Sequence, residues 1–151
     1  MFKIISHTAD VGLEISAESI ESLFIEAARG WKYCVIEDSL TQASNERKIR
    51  LNATNPEDLM VQWLNELNFY LTVNEWILDD VIQCRIECDD TAPRPEALNH
   101  TAEWSGDFLI SGEPLDYEKH EICIEIKSVT YHQLEIQKQN NGYKTRIIFD
   151  I

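Results

Sequence analysis

Hydrophobic and polar positions alternate most clearly in the last stretch of the chain, from Glu125 to Ile151. Leu134 and Ile136 alternate with Gln133, Glu135 and Gln137, and Asn140, Asn141 and Gly142 supply residues that tolerate positive φ. Alternation then resumes, a pattern that predicts a closing β-hairpin. On its second strand Tyr143, Thr145, Ile147, Phe149 and Ile151 share one face, and Lys144, Arg146, Ile148 and Asp150 share the other. If the first set faces the core, Ile151 is pinned inside while its α-carboxylate emerges beside that of Asp150.

The same reading carries through the rest of the chain. Phe2–Ile5 and Leu13–Ala17 read as strands flanking the segment Ser6–Gly12, which holds His7, Thr8 and Asp10. A helix capped by Ser19 follows, with Ile20, Leu23, Phe24, Ala27, Ala28 and Trp31 at helical spacing, ending near Gly30 or Cys34. Ile36–Asn45 reads as loop and Arg47–Asn52 as strand. Thr54, Asn55 and Pro56, with Glu57 and Asp58 in the first turn, mark the clearest helix start. Leu59, Met60, Trp63, Leu64, Leu67, Tyr70 and Leu71 form that helix's apolar stripe. Glu66 falls on the stripe: either it is buried with a partner, or it sits at the edge and reaches water. Ile82–Cys88 is a strand, Asp89–Glu96 a loop, and Leu98–Trp104 a strand in which His100 packs rather than reacts. A turn and short strand over Gly106–Gly112, a loop over Pro114–Glu121 and the run Ile122–Ile126 lead into the hairpin. Two main helices among about seven or eight strands predict an α+β fold in one domain, 1–151, with an antiparallel or mixed sheet covered on one face by the helices.

Composition changes this picture in one respect. Thirteen basic against 27 acidic residues give a net charge of -14, which disfavours free binding to nucleic acid or to an anionic membrane surface and favours cations or a basic protein partner. No secretory leader pattern and no run of about 18 apolar residues is present, so a cytoplasmic protein with no membrane role is expected. Cys34, Cys84, Cys88 and Cys123 form no CxxC pair. Cys84 and Cys88 lie about 13 Å apart along one predicted strand, too far to bridge, so reduced and mostly buried thiols are expected.

The common catalytic signatures are missing: no phosphate-cradling glycine loop, no GxSxG elbow, no HExxH and no Cys/His zinc spacing. What remains is a set of oxygen donors, Asp10 near the start and Asp150 with the Ile151 carboxylate at the end. Such donors suit a hard divalent cation, Ca²⁺, Mg²⁺ or Mn²⁺. Spacing alone leaves open whether Asp10 meets Asp150.

SHTADVGLEI, DLMVQWLNEL, GEPLDYEKHE, EIKSVTYHQLEI and the terminal RIIFDI occur in the order found in the archease family, which the chain resembles over essentially its whole length. The resemblance implies a small cytoplasmic protein, not itself an enzyme, that assists the tRNA-splicing RNA ligase. That ligase joins a 2′,3′-cyclic phosphate or 3′-phosphate end to a 5′-hydroxyl after guanylylating its own histidine with GTP and a divalent metal. It implies faster guanylylation, multiple turnover and broader nucleotide use, with RNA met only through the ligase. It implies a metal site of Asp10, Asp150 and the Ile151 carboxylate, occupied by Ca²⁺ in crystals and by Mg²⁺ or Mn²⁺ in function. Lys127, in KxVTYH, matches a functionally important lysine that pairs with an acid near the site or touches the ligase. His7 and His132 match motif positions that brace a loop or bind metal. A monomer is expected. Two rival readings are an acidic, chaperone-like binding module with a structural cation, and a metal-dependent hydrolase using Asp10, Asp150 and His7.

Overall fold

The computed structural model describes residues 1–6, 10–89 and 102–151. Its elements run β1 (Phe2–Ser6), β2 (Asp10–Ala17), α1 (Ile20–Ile36), β3 (Asn45–Ala53), α2 (Pro56–Thr72), β4 (Trp76–Asp89), β5 (Glu103–Pro114), β6 (Ser128–Thr130), β7 (Gln137–Gln139) and β8 (Gly142–Asp150). The α+β class, the two helices and the strand number are as the patterning predicts. The strands, however, divide into two antiparallel sheets. The first has the order β1-β2-β8-β6, with β7 also on β8, and the second the order β3-β5-β4. Each helix touches both: α1 packs on β1, β2 and β8 and on β4, and α2 packs on β3, β4 and β5 and on β6. The helices thus fill the space between two sheets rather than cover one face of a single sheet. Periodicity identifies one apolar stripe per helix but does not show how many layers share it.

Local chemistry explains the helix starts. Ser19 Oγ accepts the Ser22 N–H at 3.1 Å, and Asn55 Oδ1 accepts the Asp58 N–H at 2.7 Å with Pro56 opening the helix. Each cap satisfies a donor that the first turn leaves unpaired. Helix α1 continues through Gly30 to Ile36, because Gly30 is a packing residue and not a stop. A Cβ there would lie 2.8 Å from Leu13 Cδ1, so the bare backbone lets α1 settle onto β2.

Between the layers Trp63 of α2 stacks on Phe108 of β5, with centroids 3.8 Å apart and planes 9° apart, and donates its indole N–H to the Phe24 carbonyl of α1 at 2.9 Å. Leu13, Ile15, Ile147 and Phe149 close this core from the first sheet, each 1% exposed or less. Three expectations are corrected. Gly106–Gly112 lies inside the continuous strand β5, where both neighbours pair with it and no turn can form. Strand β4 starts at Trp76, six residues ahead of its predicted start, and carries bulges near Leu78/Asp80 and Val81/Gln83 that break its alternation. The closing hairpin is real but short, because only Gln137–Gln139 pairs with Gly142–Lys144. Gly142 takes φ +143°, and a Cβ there would meet the Ala17 carbonyl oxygen at 2.1 Å. The loop Asp89–Glu96 and the strand Leu98–Trp104 fall largely outside the described residues. Only Cys34 is fully buried, and Cys88 and Cys123 are exposed. Burial pushes the Cys34 thiol up to about 12, and burial with the nearby Glu21 charge does the same for Cys84.

The loops at one end of the second sheet are fixed by a buried polar cluster. Lys119 Nζ donates to Glu113 Oε1 at 2.6 Å, and the Gln42 N–H donates to Glu113 Oε2. His120 accepts the Asp116 N–H at Nδ1, which leaves its proton on Nε2, 3.3 Å from Glu113. Burial opposes ionisation of Glu113, but Lys119 and the Gln42 N–H outweigh it and hold the carboxyl below its usual 4.5. A carboxyl lowered by folding stabilises the protein above its unfolded value, and that contribution is lost as pH falls through the folded one. Glu113→Gln should therefore flatten the decline of the melting temperature below pH 4.5; a decline as steep as that of the parent chain would remove Glu113 from the account.

Candidate metal centre

Antiparallel pairing brings the two ends of the sequence together. β2 runs against β8 with Asp10 directly opposite Asp150, and on the other side of β8 Ser128 of β6 is also opposite Asp150. Residues directly opposite in adjacent strands project from the same face, with Cβ atoms about 5 Å apart. Val11, Ile147 and Phe149 turn inward from the same strands. Asp10, Asp150 and Ser128 therefore share the outer face by the same alternation that builds the core. The question that sequence spacing left open is answered by register.

Among the described residues neither aspartate side chain makes a hydrogen bond or ion pair. Arg146, the nearest cation along β8 on that face, is engaged with Glu14 at 2.5 Å. Like charges directly opposite one another in a sheet are destabilising, and two carboxylates with no cationic partner form a donor set suited to a hard cation. No group of three His, Cys, Asp or Glu side chains suited to a metal occurs among the described residues. Two side-chain carboxylates are what the pair supplies.

Ile151 requires a correction. The residue is 37% exposed, whereas Ile147 and Phe149 are fully buried. Pairing on both sides of β8 ends at Asp150, so Ile151 extends past the last neighbour strand and has no wall to pack against. Its main-chain carboxylate remains one residue from Asp150.

The other predicted residues separate. Lys127 donates its main-chain N–H to the Asp150 carbonyl at 2.8 Å, fixing the strand end, while its side chain is exposed and makes no ion pair among the described residues. His132 is exposed and lines a cavity of about 230 Å³ together with Asp10, Gly12, Gln133, Arg146 and Ile148. His7 and His100 lie outside the described residues. Glu66 is half-buried on α2 and makes no hydrogen bond among the described residues.

Sequence reasoning missed what holds the 126–136 segment in position. Four side chains of α2 pin it: Asn68 Nδ2 donates to the Ile126 carbonyl at 2.8 Å, and Asn65 Oδ1 accepts the Val129 N–H at 3.2 Å. Asp58 accepts the Tyr131 hydroxyl at 2.5 Å, and Glu57 accepts the Ile136 N–H at 3.0 Å. The Asp58 contact and burial together raise the Tyr131 phenol above its ordinary value. The available signal was Asn68, a polar residue next to the apolar stripe, since a buried amide requires partners. Ser128 was also passed over, and it flanks Asp150 on the face shared with Asp10.

Fold and site define a small α+β protein with two antiparallel sheets about a pair of helices and an acidic pair where its first and last long strands meet. The Archease protein family (MTH1598/TM1083) matches over residues 2–151, so the chain belongs to the archease family. Protein archease of Methanosarcina mazei is 31% identical over 150 residues, covering 99% of this chain and 95% of that protein. Protein archease of Saccharolobus islandicus is also 31% identical, covering 99% and 98%. The solution structure of Methanobacterium thermoautotrophicum protein 1598 superposes with a TM-score of 0.73 at 25% identity, covering 99% of this chain and 98% of that one. The crystal structure of an archease and possible chaperone from Thermotoga maritima does so with a TM-score of 0.57 at 22% identity, covering 100% and 98%.

Proposed function

We propose that this chain activates a GTP-dependent tRNA-splicing RNA ligase without being an enzyme itself, promoting guanylylation of the ligase histidine and multiple turnover. The observation that supports this reading is the pair Asp10 and Asp150 in cross-strand register, without a partner among the described residues, at the positions where the family resemblance puts metal ligands. Asp10, Asp150 and the Ile151 carboxylate would hold a divalent cation, which supplies positive charge to oppose that of a nucleoside triphosphate. The chain's own part is to fix this donor set on paired strands, where the Lys127 N–H and the α2 side chains leave it little freedom. The net charge of -14 suits a partner whose groove is basic enough to bind RNA phosphates.

The test is guanylylation of the cognate ligase with GTP, with and without this protein. Stimulation is expected, and a version carrying extra residues after Ile151 should lose most of it, because the α-carboxylate becomes a neutral amide. Full stimulation by the extended version would remove the terminal carboxylate from the site. A rival reading, an acidic chaperone-like module with a structural cation, is separated by Asp10→Ala: the calcium-dependent rise in melting temperature would then be lost while stimulation persisted.

A further inference from the structure

The segment between His120 and β6 has the burial pattern of a strand without its pairing. Glu121, Cys123, Glu125 and Lys127 are exposed, while Ile122, Ile124 and Ile126 pack toward the core, the two-residue period of extended backbone. Over Ile122–Ile126 only two main-chain groups are hydrogen-bonded among the described residues: the Cys123 N–H, 2.7 Å from the Val35 carbonyl, and the Ile126 carbonyl, which accepts Asn68 Nδ2. The remaining donors and acceptors are those of an open strand edge. Beside this segment lies a cavity of about 320 Å³, bounded also by the end of α2 and the chain that follows β5. Leu71, Leu115, Ile122, Ile124 and Ile126 make its walls apolar, and Glu75 and Glu125 are the charged residues that line it among the described residues. Both are exposed, and neither carboxylate makes an ion pair or hydrogen bond among the described residues. Asn68 in the wall is 8% exposed, and its buried Oδ1 accepts no hydrogen bond among the described residues. A buried acceptor of that kind calls for a donor.

We propose that an extended, basic segment of a partner protein docks here as an added strand along Ile122–Ile126, with the stem of a lysine or arginine in the cavity. In strand addition, main-chain pairing supplies affinity and pockets for alternate side chains supply specificity. The cavity lies at the bottom of the range of small-molecule sites, roughly 300–1,000 Å³, and its apolar walls suit an aliphatic stem with a charge at its tip. Glu75 and Glu125 can meet that charge without giving up an internal partner. Tyr117, exposed and part of the lining, adds an aromatic ring for a cation. The surrounding chain has the sign this requires. Between Leu115 and Lys127 stand Asp116, Glu118, Glu121 and Glu125 against Lys119 and Lys127, and Lys119 is spent on Glu113. The same carboxylates repel nucleic acid. The inference does not depend on Asp10, Asp150 or a bound cation.

The probe is a fluorescein-labelled hexapeptide, Lys-Val-Lys-Val-Lys-Thr, titrated with the full chain by anisotropy. Binding that weakens with added salt is expected. The same peptide N-methylated throughout keeps its charge but loses its main-chain donors, and it should bind at least tenfold more weakly. The double variant Glu75→Lys/Glu125→Lys should also weaken binding at least tenfold. Glu18→Lys/Glu135→Lys, the same charge change beside the closing hairpin, should change it less than twofold. Circular dichroism checks that both variants fold. No peptide binding at millimolar protein, equal binding of the N-methylated peptide, or equal loss in both variants overturns the proposal. So does sedimentation showing a dimer that Glu75→Lys/Glu125→Lys disrupts, because the occupant would then be a second copy.

Discussion

Replacing Asp150 with alanine is expected to abolish stimulation of the ligase while leaving the metal-free protein as stable as before or slightly more stable. The two halves of this result share one cause. Asp10 and Asp150 are direct cross-strand neighbours with no cationic partner among the described residues, so without a bound cation their juxtaposition is destabilising. Alanine removes that cost. With Ca²⁺ the order should reverse. A cation that binds only the folded state stabilises by about 2.7 kcal/mol at a hundred times its Kd. For a domain of this size that is an upward shift of about 5–10 °C in melting temperature. The shift should appear in the parent chain and vanish in both Asp10→Ala and Asp150→Ala. Melts with EDTA and with Ca²⁺, run beside the guanylylation assay, measure both effects. A calcium shift that survives in either variant, or full stimulation by either, would falsify the carboxylate pair as the metal centre.

Trp63→Ala should have the largest effect on stability. The side chain is fully buried where α1, α2 and β5 meet, stacked on Phe108, and its N–H is spent on the Phe24 carbonyl. Removing it leaves a cavity in the layer that both sheets share and takes the indole hydrogen bond from the Phe24 carbonyl. Truncation of a buried aromatic costs about 3–5 kcal/mol, a large share of the stability of an ordinary domain. The melting temperature should fall by about 6–20 °C, and urea unfolding should show a lower midpoint with an unchanged slope. Trp63→Phe keeps a ring against Phe108 and should recover part of the loss. A melt of Trp63→Ala within two degrees of the parent would mean that the helix layer is held by something other than this stack.

The helix caps at Ser19 and Asn55, the inward set Thr145, Ile147 and Phe149, and the short hairpin at Asn140–Gly142 were all legible in the sequence, because each is a local rule acting over a few residues. The acidic pair was half legible. Asp10 and Asp150 could be named as oxygen donors, but they are 140 positions apart and only the pairing of β2 with β8 makes them neighbours. The burial of Ile151 was predicted wrongly by that same alternation: period-2 patterning says which way a side chain points, not whether a neighbouring strand is still there to meet it. The pinning of residues 126–136 by Glu57, Asp58, Asn65 and Asn68 was not legible, since it links groups more than fifty positions apart through single hydrogen bonds.

By itself, then, the sequence determined the two helices with their caps, the inward face of the last strand from Thr145 to Phe149 and the identity of the oxygen donors, because periodicity, capping and donor chemistry are properties of neighbours along the chain. Tertiary structure alone decided that the strands split into two sheets, that both sheets share one helix layer and that Asp10 faces Asp150. It also decided that Glu75 and Glu125 line one cavity. Register between strands distant in sequence is chosen by the whole buried surface at once, and no local stretch of the chain carries that information.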